Sequence, residues 1–319
     1  MGPLILRKIG LRALSAIPIL LAVTFGTYVM LFAIGDPASV VAGEGATPEQ
    51  VEEVRQRLGL DRPIVLQYLA WLGNVLQGNL GESLHHKGAV TALLAQHMPP
   101  TLLLSLLALL LATVSAVAMG TAVGMRPDGL VDRGLRGLSL LGIAVPNFLV
   151  GLLLVLAFAI WLPWFPAGGY RTPAEVGVGP MLSYLVLPAI ALGISLMCQQ
   201  MRTFRASLVR EYRADYVRTA RMKGASERSV FFGHVSRNAS GPLVTVIGLE
   251  IGVLITGALL VEAVFAIPGI GTLTLESVRG QDFPVVQGLV ALFAAVVMAA
   301  NLVADLVVLW LDPAARAKA

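Results

Sequence analysis

Long uncharged apolar runs, parted by shorter polar stretches, dominate the chain. They lie at Ala13–Gly35, within Pro100–Met125, within Gly137–Leu162, at about Met181–Met201, at about Pro242–Ala266 and at about Val285–Leu311. About 20 apolar residues cross the hydrocarbon core as a helix, so the pattern predicts six transmembrane helices. The first run follows Arg7, Lys8 and Arg12. It is too long for the core of a signal peptide and lacks a clear small-x-small cleavage site, so it reads as a span. Pro163 and Pro166 close the third.

Two stretches outside these runs are long enough to carry a task. In Asp36–His97, which is acidic, Thr47-Pro48-Glu49-Gln50 has the form of a helix start: Thr47 caps, Pro48 fits the first turn and Gln50 completes a capping box. Val51, Val54 and Leu58 then share a face and Gly59 ends the helix. A second helix is predicted from Pro63 to about Gln77, with Tyr68 and Trp71 suited to a membrane interface. The other stretch, Arg202–Gly241, is basic. The pattern thus divides the chain into residues 1–35 (N-terminus and first helix), a helical insertion at 36–99, and a five-helix core at 100–319 that contains the loop region 202–241.

Composition agrees with lipid as part of the solvent. Of 319 residues 56% are hydrophobic and 13% charged, against about 25% charged in a soluble domain, and the mean hydropathy is +0.80. This excludes an ordinary soluble enzyme, a disordered chain and a disulfide scaffold; the single cysteine, Cys198, has no partner in the chain. The net charge of +4 comes from basic residues in short loops, which argues for membrane orientation rather than nucleic acid. Arg7, Lys8, Arg12, Arg126, Arg133, Arg136, the basic stretch up to Arg237, Arg316 and Lys318 fall on one side if both termini do. The positive-inside rule places that side in the cytoplasm.

The usual catalytic chemistry is missing from the pattern. His85, His86, His97 and His234 lie outside the predicted spans, and no HExxH occurs. Gly-Lys does not occur, so no phosphate-cradling GxxxxGK[ST] loop exists and ATP hydrolysis is not expected of this chain. Neither a cofactor nor a metal is expected. Glu250, Glu262 and Asp305 fall in or near spans, where a charge costs about 2.5–3.5 kcal/mol on the insertion scale. They read either as an ion relay, which would make the chain a carrier, or as buried structural polar groups. Asn147, Ser195, Gln199 and Gln200 are polar positions in apolar runs; they line a watery route or bond neighbouring helices.

The basic loop holds Asp215-Tyr216-Val217-Arg218-Thr219-Ala220-Arg221-Met222-Lys223-Gly224. It reads as a short helix ended by Gly224, with Ser226 capping a further helix to about Asn238. Tyr216, Ala220 and Gly224 recur every four residues, making a face of small residues that fits a cleft in another protein. Arg218, Arg221 and Lys223 flank it. The competing reading is a solvated basic loop that only enforces orientation.

This stretch resembles the coupling region of permease subunits of ATP-binding cassette importers, whose signature is Glu-Ala-Ala, three residues, then Gly. Arg218-Thr219-Ala220 with Gly224 keeps the last Ala and the Gly. The Arg-Thr departure, preceded by Tyr216-Val217, is similar to the dipeptide/oligopeptide/nickel branch of the binding-protein-dependent transport family. The resemblance extends along the chain, through Gly35-Asp36-Pro37-Ala38, Leu58-Gly59-Leu60-Asp61-Arg62-Pro63, Gln67-Tyr68, Trp71-Leu72 and Gly78-Asn79-Leu80-Gly81-Glu82-Ser83. It continues in Val261-Glu262-Ala263-Val264-Phe265, Pro268-Gly269-Ile270-Gly271, Asn301-Leu302 with Asp305, and Leu311-Asp312-Pro313. The chain departs at Asn79, where Asp is commoner, at Val308 for Tyr and at Ala314 for Arg.

The resemblance implies an all-α integral membrane protein with the type I importer permease fold and a small helical extracytoplasmic insertion between helices 1 and 2. It also implies a second related permease, two ATPase subunits that carry ATP and Mg, and an extracytoplasmic substrate-binding protein, in a prokaryotic cytoplasmic membrane. It assigns ATPase coupling to Asp215, Tyr216, Arg218, Thr219, Ala220, Arg221 and Gly224, and structural roles to Glu262 and Asp305; Glu250 and Asn301 are read with them as structural polar groups in or near the membrane. The implied cargo is di- or oligopeptides; the same branch carries nickel and other metal chelates or small solutes. An ion-coupled carrier or a channel is the alternative of a different class.

Overall fold

The computed structural model describes the backbone of residues 2–311 except 44, 87 and 126, and side chains in that range other than 2–13, 16, 34, 255, 304, 305 and 307–311. Arg7, Lys8, Arg12, Asp305 and Val308 (by side chain), and Arg126, Asp312, Pro313, Ala314, Arg316 and Lys318, therefore lie outside the described residues. Every extended element among the described residues is helical: α1 Gly2–Ile34, α2 Pro37–Ala42, α3 Pro48–Arg57, α4 Ile64–Leu76, α5 Val90–Gly124, α6 Leu130–Ala144 and α7 Asn147–Leu154. A π-helical segment Val155–Trp161 continues α7. There follow α8 Pro173–Val176, α9 Val178–Tyr212, α10 Asp215–Met222, α11 Glu227–Val230, a π-helical segment Phe231–Val235, α12 Ser236–Val264, α13 Ile270–Arg279 and α14 Phe283–Leu311.

Among the described residues, Val90–Gly124, Val178–Tyr212 and Phe283–Val303 are long and apolar enough to cross a membrane, and the number rises to five if each of two bent helix pairs is one span. The third predicted span is one of the bent pairs. α6 and the helix beginning at Asn147 meet at 104°, because Val145 is extended and Pro146 follows it. Proline disfavours helix at the residue before it and lacks the amide that would continue the ladder. The described apolar part of α1 is Ile17–Ala33.

The chain divides into two compact units, Met1–Thr101 with Pro268–Met298, and Leu102–Ile267 with Ala299–Ala319. In the first, Val90, Leu94, Ile270, Leu273, Val285 and Leu289 form the core. Predicted caps appear as written: Thr47 Oγ1 accepts from the Gln50 amide at 3.4 Å and Gln50 Oε1 from the Thr47 amide at 2.9 Å. Asp36 caps α2 and takes Arg55 at 2.6 Å, tying α2 to α3. Tyr68 differs from its predicted interfacial place. It is 6% exposed, its hydroxyl lies 2.8 Å from Thr24 Oγ1, and its ring stacks on Trp71 at 5.7 Å. The aromatic face of α4 is thus turned onto α1. Asp282, also buried, accepts from Ser83 Oγ at 2.5 Å and from the Leu84 amide at 3.2 Å, which latches the Gly78–Ser83 motif to the start of α14.

In the second unit α9 is the central post, packed by α6, α7 and α12. Its core includes Leu104, Leu185, Leu192, Leu254, Ala258 and Phe265. Against lipid there is little hydrophobic drive between helices, so close approach at small residues must supply cohesion. α5 offers Ala108, Ala112, Ala116, Gly120 and Gly124, all buried and four apart. A Cβ on the facing Gly193 would lie 2.9 Å from the Ala108 carbonyl oxygen, and one on Gly124 2.9 Å from Leu208. Glycine at both positions lets the two backbones meet.

Candidate functional site

The predicted coupling stretch folds as α10, between the end of α9 and the helical run that leads into α12. Ala214 enters in extended conformation and Asp215 opens the helix, where a carboxylate favours the positive end of the dipole. At the other end the Gly224 amide bonds Arg221 O at 3.0 Å and the Ala225 amide bonds Ala220 O at 3.2 Å. This is the Schellman pair, with Gly224 at φ +83°. A side chain there meets no neighbour within 4 Å, so the backbone angle alone demands glycine. Ser226 Oγ then accepts from the Ser229 amide at 3.3 Å, as its predicted cap. The helix so started does not stop at Asn238: through the π-helical turn it continues into α12, and Pro242 lies inside it. The cause is Val230, Phe231, Val235, Ala239 and Leu243, which form one buried stripe.

Three sets of contacts brace α10. Val217 is fully buried among Phe204, Leu208, Val230, Phe231 and Val235, and burying a valine outside the lipid contributes about 1.5–3 kcal/mol. The Tyr216 hydroxyl donates to Glu211 Oε2 at 2.8 Å and accepts from Asn238 Nδ2 at 3.2 Å, linking α9, α10 and α12. Burial pushes the Tyr216 phenol above its ordinary pKa, so it stays protonated and able to donate. Arg221 grips Glu227 through Nε at 2.8 Å and an Nη at 3.1 Å and lies over the Tyr212 ring.

This bracing redistributes the predicted roles. Tyr216 and Ala220 pack against the buried cluster, so the small-residue face is turned inward along much of its length. Arg221 is engaged within the chain. Asp215, Arg218, Thr219 and Gly224 are exposed, and so are Met222, at 73%, and Lys223. Met222 was not singled out in the sequence. Its signal is the i, i+4 relation to Arg218 on the face opposite Val217.

The polar residues of the apolar runs separate in the same way. Gln200 is fully buried and donates to Glu250 Oε2 at 2.6 Å, joining α9 to α12. Its neighbour Gln199 is exposed on another side of α9; Ser195 and Asn147 are half-buried. Glu262 is fully buried and Asn301 exposed, while the Asp305 side chain lies outside the described residues. The sequence reading missed Asp132. It is 1% exposed and held by Arg205 through two bonds of 2.5 and 2.6 Å, fastening α6 to α9. Among the described residues no three His, Cys, Asp or Glu side chains gather as a metal site.

Long apolar helices, with a short braced helix outside the apolar run of α9, define a helical membrane protein. Residues 108–317 match the family described as "Binding-protein-dependent transport system inner membrane component", and residues 5–105 match its N-terminal region. The chain belongs to this family and is embedded in the membrane as a transport permease. It is 37% identical to a "Probable peptide ABC transporter permease protein" of Sinorhizobium fredii, over 99% of this chain and 100% of that one. It is 36% identical to an "Oligopeptide transport system permease protein" of Bacillus subtilis, over 95% of this chain and 96% of the other.

Proposed function

We propose that this chain is one permease subunit of an ATP-driven importer of di- and oligopeptides. The cargo is the one named for the relatives. The observation that carries the coupling role is α10: a helix fixed from three sides whose outward Arg218, Met222 and Lys223 bond no other element among the described residues. Six spans with both termini in the cytoplasm form the framework, residues 36–99 cover the extracytoplasmic side, and residues 202–241 face the ATPases. A second related permease completes the pathway; two ATPase subunits hold ATP and Mg, and a binding protein delivers cargo from outside. The chain itself is non-catalytic.

In this reading, ATP-driven closure of the ATPases pushes on Arg218, Thr219 and Met222. The braces at Tyr216, Val217 and Arg221 pass the displacement to α9 and α12, and the pathway changes the side to which it opens. ATP drives the cycle because it binds the two conformations unequally. Asn147 and Ser195 are the candidates to line the route, whereas Gln199 opens on the side of α9 that faces Arg136 and Leu140. The Gln200–Glu250 pair supports a structural role for Glu250 rather than an ion relay.

Cross-linking from a cysteine at Met222 in intact membranes, followed by purification through a tag on this chain, tests the proposal. The expected product joins α10 to an ATPase subunit, with a related permease in the same complex. A chain that purified alone and moved solute into vesicles without ATP would sink it.

A further inference from the structure

Between α6 and α9 lies an open cavity of about 490 Å³ lined by Arg136, Leu140, Gln199, Arg202, Thr203 and Arg205. Its charges do not balance. Asp132 is consumed by Arg205 and by the Asp128 amide at 2.9 Å. Arg136 stands 3.4 Å from Asp132 and 3.7 Å from the largely exposed Asp128, and its Nε is buried with no hydrogen-bond partner. Arg202 makes no ion pair among the described residues. One buried carboxylate and one peripheral one therefore face three guanidinium groups.

The level of the cavity along the helices narrows the ligand. Arg202 directly follows the apolar run that ends at Met201, and Arg136 directly precedes the run that begins at Gly137. On the proposed topology Arg202 falls at the boundary of the hydrocarbon, and Arg136 on α6 faces it across the cavity. Beside them α6 exposes Leu138 at 62%, Leu140 at 59% and Leu141 at 62%. A ligand that fits has an anionic head with several acceptor oxygens and an apolar body. Guanidinium forks suit phosphate oxygens, and basic pockets between membrane helices take anionic headgroups.

We infer that this cavity binds the phosphate of an anionic phospholipid, whose acyl chains run along the leucine face of α6. The phosphate oxygens accept from the guanidinium groups of Arg136 and Arg202 that line the cavity, and Gln199 lies within the same wall. Arg205 is left to hold Asp132 and so keeps the two helices at the spacing the headgroup needs. The site rests on the membrane placement of the chain and is independent of its cargo.

Native mass spectrometry of the full chain, purified with equimolar phosphatidylglycerol and phosphatidylcholine, tests this. One phosphatidylglycerol is retained in preference to phosphatidylcholine. Arg202→Gln weakens it about fivefold and the Arg136→Gln/Arg202→Gln pair by roughly 30-fold, taking about 1 kcal/mol per basic residue near the surface. Arg202→Lys keeps most of the binding, and Arg210→Gln, on the same helix but outside the cavity, changes nothing. Among the described residues Arg202 bonds no other element, so its loss leaves the melting temperature in detergent unaltered. Equal retention of both lipids overturns the inference. So does displacement by millimolar inorganic phosphate, which would mark a free-anion site, or loss of the lipid when the ATPases and second permease assemble, which would mark an acidic partner residue.

Discussion

α3 and α10 are both short helices outside the apolar runs, of ten and eight residues, and they are built on opposite plans. α3 carries most of its support in itself: a capping box, a Schellman end at Gly59 (φ +68°), and ion pairs Arg55–Glu52 and Arg57–Glu53, beside the Arg55–Asp36 pair that ties it to α2. None of its residues is buried. α10 lacks a side-chain cap at its start and is held by what surrounds it. Isolated helices of this length are marginal in water, so α10 is a helix only while docked on α9 and α12. In the proposed coupling role that dependence is useful, since a force on the outer face of α10 moves the elements that define it. α3, none of whose residues is buried, transmits little.

The comparison breaks most sharply at Val217. Val217→Asp places an unpaired charge in a filled cluster, at a cost of several kcal/mol. It unseats α10 and abolishes transport, while the chain still inserts. The matched change Val51→Asp in α3 falls on a half-buried position and leaves transport within about twofold, as a surface substitution does. Equal loss in ATP-dependent uptake by the two variants would show that the two helices do not differ in kind.

The terminal glycines sharpen it further. Gly224→Val and Gly59→Val each force a β-branched residue into the left-handed region, costing about 1–2 kcal/mol locally. Only the first reduces cargo-stimulated ATPase activity of the assembled transporter, by roughly tenfold. Gly224→Asn, which tolerates that region, recovers most of it.

What the sequence showed of these helices follows from distance along the chain. The Thr47–Gln50 box, the Ser226 cap and the Gly224 stop join residues three to five apart, and all were legible. The side of α10 that turns inward was not, because Val217 is placed by Leu208, Val230 and Val235 on other helices. Tyr68 looked interfacial for the same reason; its partner Thr24 lies 44 residues away. Asp132 went unnoticed because Arg205 is 73 residues distant. Pro146 was visible, yet proline is tolerated inside membrane helices and indeed lies within α5, α9 and α12. Only the extended Val145 turns it into a break.

A gentler test removes the Tyr216 hydroxyl. Tyr216→Phe deletes bonds to Glu211 and Asn238, each worth about 1 kcal/mol, and lowers coupled activity several-fold without unfolding α10. The phenol's pKa is raised by burial, so its stabilisation is complete below the ordinary phenol value near 10 and is lost as pH climbs through the raised one. A spin label at position 218 should therefore loosen at alkaline pH in the parent chain. In the phenylalanine variant it is looser from the start and indifferent to that change.

The smallest effects belong to α3. Arg57 and Glu53 are 70% and 71% exposed at 2.9 Å, so Arg57→Ala removes about 0.3–0.5 kcal/mol, and Thr47→Ala about 1 kcal/mol of cap. Hydrogen exchange of the amides of residues 50–52 in the intact chain quickens about fivefold in the second variant and about twofold in the first. The Glu49 carboxyl is held below its ordinary pKa by its own amide and the Thr47 hydroxyl. Its contribution is therefore present above the ordinary carboxylate value and fades as pH falls through the lowered one, an acid sensitivity that Thr47→Ala blunts. Transport stays unchanged in both variants, because the tie of α3 to α2, the Arg55–Asp36 pair, is touched by neither change. A transport loss that tracked the faster exchange would place α3 with α10 as a coupling element and remove the distinction between them.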